Sequence, residues 1–244
     1  AALPLVAGAL GLVGTGLAGL ALGGGPAGAT PATRARSGVG DPSQLLREAT
    51  SAVSRQQGSV QSATETQGSN HATFALEVGR GEGVEQVTFL EGTTRGTTRL
   101  VEVDSHLYLK GDRAGLTATD FTPAAAASEA NRWIDVPTSS SYGKTLAGGL
   151  TLASTAAELQ LTGSLHLSAP TTVDGQRVVG VTESENGATV VIYLRDSATP
   201  LPVKIVFTAK GDSEQIVFQR WGAIPHPSRP ARADSFKSSW LKTS

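Results

Sequence analysis

The side chains able to do chemistry in this chain are few, and their spacing does not gather them. Ser141, Tyr142, Gly143 and Lys144 spell S-x-x-K, in which a lysine can activate a serine for acyl transfer. That chemistry also needs a K-T-G or S-D-N companion, and neither is present. The histidines His71, His106, His166 and His226 stand too far apart for an H-x₃-H or H-E-x-x-H pair, so local zinc spacing is lacking. Cysteine is absent, which removes thiolate ligands, cysteine nucleophiles and disulfides together. No P-loop, G-x-S-x-G or G-x-G-x-x-G falls in a strand–turn–helix setting, and the carboxylates show no paired acid and base. The expectation is a binding protein with no catalytic residue, no cofactor and no metal. A net charge of −1 over 244 residues gives no electrostatic reason for nucleic acid as a partner.

The elements that carry these residues begin after a long apolar stretch. Residues 1–25 hold no charge, and the first charged side chain is Arg34. Such a run reads as a signal peptide, with Ala27-Gly28-Ala29 as an A-x-A cleavage pattern, or as a retained membrane anchor. Both place the remainder outside the cytoplasm, in the cell envelope or secreted. Residues 26–40 read as a flexible linker, 41–222 as the folded domain and 223–244 as a Pro-rich flexible tail, extended or disordered.

Asp41-Pro42 marks a helix start, with Asp as the cap and Pro in the first turn. Leu45, Leu46, Ala49, Ala52 and Val53 then form one apolar stripe on a helix ending near Gly58. From residue 59 the period becomes two. Strands are expected at 72–78, 85–91, 98–104, 107–110, 132–136, 161–168, 176–183, 189–195, 203–208 and 215–221. Asp174-Gly175 and Asn186-Gly187 suit two-residue type I′ turns. Gly111-Asp112 and Gly211-Asp212 punctuate two further connections. Short turns between successive strands imply an antiparallel meander. The stretch 117–131 is expected to hold a short helix, and 143–158 a second cap over the sheet.

Six segments then carry a resemblance: LLREATSAVSRQQGSVQS, VEVDSHLYLKGD, NRWIDVP, TTVDGQRVVGV, TPLPVKIVF and FQRWG, in that order from Leu45 to Gly222. They resemble the LppX/LprG-type lipoproteins of actinobacterial envelopes, within the LolA-like group of half-barrel lipid carriers. The resemblance implies an α+β fold, a curved antiparallel β-sheet with helices covering its concave face. It also implies an apolar cavity that receives acyl chains of a lipid or lipoglycan for transport between membrane layers. The alternative it carries is an envelope sensor or scaffold module that binds a protein partner. One departure stands out: the family is anchored through a lipidated cysteine, and this chain has none. Any membrane association would come from residues 1–25.

If helices cover one face of the sheet, that face must be apolar, and strand parity names its residues. They are Phe74, Leu76, Val87, Phe89, Val101, Val103, Leu107, Leu109, Val203, Ile205, Phe207, Ile216 and Phe218. These are the expected lipid-binding positions, and the same set would equally serve as a dry core. A long acyl chain gains about 0.8 kcal/mol per buried CH₂ and needs no polar contact to bind.

Overall fold

The computed structural model describes residues 40–242. The signal or anchor at 1–25 and all of the linker except its last residue lie outside the described residues. Among the described residues no helix is long and apolar enough to cross a membrane.

Helix α1 spans Pro42–Ser54. Asp41 caps it, accepting from the Ser43 N–H at 3.0 Å, with Pro42 in the first turn. Its buried residues are the five of the predicted stripe, Leu45, Leu46, Ala49, Ala52 and Val53. Five strands follow: β1 (Gly58–Gln67), β2 (Asn70–Gly79), β3 (Gly83–Glu91), β4 (Thr94–Val103) and β5 (His106–Gly111). Asp112, expected to punctuate a connection, instead caps α2 (Arg113–Ala118), accepting from Gly115 N at 2.6 Å. Thr122 caps α3 (Pro123–Glu129), the short helix expected within 117–131, and α2 ahead of it was not foreseen. After β6 (Ile134–Val136), the second predicted cap also divides, into α4 (Ser141–Ala147) and α5 (Leu152–Ala157). Gly148-Gly149 falls between them, and a Thr151–Ser154 capping box opens α5.

The second half supplies β7 (Leu165–Leu167), β8 (Thr171–Val173), β9 (Gln176–Glu185), β10 (Ala188–Arg195), β11 (Pro202–Ala209) and β12 (Asp212–Trp221). The two predicted hairpin turns carry the positive φ that type I′ requires: Asp174 +48° and Gly175 +75°, Asn186 +51° and Gly187 +81°.

With β13 (Asp234–Ser235), the thirteen strands among the described residues form one open sheet, with spatial order β13-β6-β5-β4-β3-β2-β1-β12-β11-β10-β9-β7 and β8 paired to β9. Every pairing is antiparallel except β13 with β6. Two meanders, β1–β6 and β7–β12, are joined where the first long strand pairs with the last, Ala63 opposite Ile216. This is the expected α+β half-barrel with helices over its concave face.

The C-terminal segment differs from the flexible tail expected at 223–244. Its residues Asp234–Ser235 form β13, and Arg132 holds Asp234 at 2.7 Å. Phe236, Trp240 and Leu241 pack against the buried cluster that includes Phe121, and Tyr142 stacks on Phe236 at 5.3 Å. Its prolines bar regular pairing over 225–230, but the aromatic residues beyond them have apolar area to bury.

Candidate functional site

The concave face can be followed residue by residue through the strand register. Ile216 lies beside Ala63 and Ile205; Ala63 pairs with Phe74, and Phe74 with Val87. Phe74, Leu76, Val87, Phe89, Ile205, Ile216 and Phe218 are buried in one cluster with the α1 stripe and with Leu152 and Ala156 of α5. Phe207 is partly buried against it, and Val203 is buried on the same strand parity as Ile205. Leu107 and Leu109 belong to a second cluster, with Leu100, Leu116 of α2, Ala126 of α3 and Leu146 of α4.

Val101 and Val103 stand apart from the rest. They lie on the opposite face with Tyr108, Val84 and Trp133, while Leu100 takes the inward place. The register explains it, since Leu100 is opposite Leu109 and Val101 opposite Tyr108. Apolar residues fill consecutive positions here, so composition does not reveal which parity faces the helices.

Interior carboxyl groups are the feature that apolar pattern-reading misses. Glu85 shares the parity of Val87 and Phe89 and is fully buried, and neither of its oxygens has a hydrogen-bond partner among the described residues. Burial pushes its carboxyl up to about 8. Glu214 shares the parity of Ile216 and Phe218 and lies opposite Glu65. Burial, then the fields of Glu65 and Glu158, pushes Glu214 up to about 9. Burial alone takes Glu158, at the end of α5, to about 7. Glu65 is raised by burial and then by Asp212, and Glu102 by burial. Glu183 accepts from the Gly163 N–H. Strand parity was the available signal for Glu85 and Glu214, since both follow the inward alternation of their strands.

A cleft of about 480 Å³ opens between α1 and the β7–β10 edge. Leu45, Leu167, Ala169, Pro170 and Val179 give it apolar walls, and Arg177 and Asp196 also border it, paired at 2.7 Å. Leu45 is also a member of the large buried cluster, and Leu167 and Val179 pack against that cluster. The cleft therefore borders the apolar layer between sheet and helices. None of the thirteen expected positions lines it directly.

The remaining polar candidates do not converge. Ser141 and Lys144 are both exposed on α4, whereas Tyr142 between them turns inward, its hydroxyl donating to Thr119 O at 2.8 Å. His106 meets Asp135 at 3.4 Å on the outer face. Among the described residues no group of three or more His, Asp or Glu side chains could hold a metal ion.

No family model matches the chain, and no curated protein matches it. Solved structures do. LprF from Mycobacterium bovis is 14% identical, with 77% of this chain and 97% of that one covered, at a TM-score of 0.49. The Mycobacterium tuberculosis lipoprotein LppX is 11% identical, with 80% and 100% covered, at 0.44. MucB in its complex with MucA from Pseudomonas aeruginosa is 18% identical, with 83% and 67% covered, also at 0.44. The likeness is one of strand and helix arrangement.

Proposed function

We propose that this chain is an extracytoplasmic, non-enzymatic carrier that holds acyl chains of a lipid or lipoglycan between its sheet and its helices, for transport between membrane layers. The observation that carries this reading is the cleft beside α1. Its volume of about 480 Å³ falls in the range of small-ligand sites, its walls are apolar, and it borders the buried layer at Leu45 and Val179. A chain lying there gains by leaving water alone, so a mobile cargo needs few polar contacts. The inward residues Phe74, Phe89, Ile205, Ile216 and Phe218 would line the deeper path, with α1 moving to admit a longer chain.

The test is native mass spectrometry of protein purified from a lipid-containing host, followed by solvent extraction and identification of released species. The expected result is a co-purifying acyl lipid, together with uptake of the apolar dye 1-N-phenylnaphthylamine by the delipidated protein. Protein that emerges without any acyl species, and leaves the dye in water, sinks the carrier reading.

A further inference from the structure

The apolar layer beneath the helices is divided. One buried cluster lies under α1 and α5, the other under α3 and α4, α2 spans both (Ala114 and Ala118 against the first, Leu116 in the second), and the boundary passes between Leu76 and Leu100. Glu85 stands on that boundary, cross-strand from Leu76 on one side and from Leu100 on the other. The link from α4 to α5 crosses above the start of β3. Leu150 belongs to one cluster and Leu152 to the other, and Thr151 bridges to Gly79. A Cβ at Gly83 would collide with the Leu150 carbonyl, so the link sits directly on the strand.

Both oxygens of Glu85 are buried without a partner among the described residues. Glu102, on the same face and one diagonal step along the register, also has a buried, unpartnered Oε2. A carboxyl group placed this way costs folding free energy that a leucine would not. Such an orphan in a native interior is satisfied by a buried water or by a ligand group.

We propose that Glu85 anchors the ligand, holding the ester carbonyl of an acyl chain that lies in the seam between the two clusters. This rests on the carrier reading above. The chemistry of the seam selects the ester. Glu85 is kept in its neutral form by burial, and its titratable neighbour Glu102 is raised for the same reason. A neutral acid donates one hydrogen bond, and an ester carbonyl supplies an acceptor without bringing a charge into the seam. A plain hydrocarbon would leave the acid orphaned. An ammonium group would require the ionised form that burial disfavours.

The test uses delipidated full chain loaded with 1-N-phenylnaphthylamine and displaced by methyl palmitate or by heptadecane. The expected preference for the ester is about tenfold, the worth of one buried hydrogen bond. Glu85→Leu should abolish the preference while still binding heptadecane, and Glu85→Gln, which keeps a donor, should retain most of it. The ester carbonyl stretch in the infrared should move to lower frequency in wild type and not in Glu85→Leu. An unchanged preference in Glu85→Leu overturns the proposal and leaves the carboxyl served by buried water only. Failure of both displacers in all three proteins removes the carrier reading, and the anchor with it.

Discussion

A carboxyl group that burial holds in its neutral form titrates against the fold itself, and this chain holds several. The unfolded chain ionises Glu85, Glu158 and Glu214 near 4.5, whereas in the folded protein they ionise near 8, 7 and 9. Between those values the native state keeps protons that the unfolded state has lost. Stability from these groups is therefore greatest below pH 4.5, falls as pH rises through 7 to 9, and levels off above. Each fully raised group contributes a slope of at most about 1.4 kcal/mol per pH unit. Urea denaturation at pH 5, 7 and 9 should show a falling midpoint, and a flat profile contradicts the burial. Glu85→Leu should raise stability at pH 9 by roughly 2–4 kcal/mol and flatten part of the slope. These groups were legible in principle, because Glu85 and Glu214 keep step with the aromatic and branched residues of their strands. A search for paired acids and bases passes over them, since each is conspicuous for its isolation. The inward place of Leu100 over Val101 was less legible. In a run where Leu100, Val101 and Val103 are all apolar, only the pairing with β5 decides which side faces the helices.

Helices and strands differ in how openly the sequence declares them. The start and buried face of helix α1 could be read to the residue, because cap, proline and stripe agree, whereas its end falls at Ser54, ahead of the expected Gly58. The hairpins at Asp174-Gly175 and Asn186-Gly187 were as clear, since few residues tolerate their backbone. The short helices α2 to α5 were blurred because each is only two turns long or less and takes its stability from the cluster it covers. The C-terminal segment was misread for a related reason. Proline content marks irregular backbone, but it says nothing about whether Phe236, Trp240 and Leu241 find a surface. They find Phe121 and Tyr142, with ring centroids 5.3 to 6.4 Å apart. Trp240→Ala should cost roughly 2–3 kcal/mol, as loss of a half-buried indole does. Ending the chain after Gly222 should cost more and expose the α2–α4 cluster. Thermal unfolding followed by circular dichroism reads both, and an unchanged Tm in the truncated chain shows the strap to be ornamental.

At the scale of the molecule, the decisive contact is one that no local signal announces. Turn chemistry and alternation describe two meanders, yet the sheet becomes a single half-barrel only where residues 59–67 meet residues 212–221. That join brings α1, which precedes β1, over strands that come last in the chain, so Leu45 stands beside Val179 and Leu167 around one cleft. The site is thus assembled from both ends of the domain, and a change there tests the architecture as well as the ligand. Val179→Trp places an indole in the cleft from a half-buried position, where the surrounding space admits it with little strain. It should weaken dye uptake and lipid retention at least tenfold while leaving the urea midpoint close to wild type. Thr182→Trp, on the same strand but the opposite parity, should change neither. If Val179→Trp retains full lipid uptake, the acyl chain reaches the interior by another route, and the cleft beside α1 is then a surface hollow with no part in carriage.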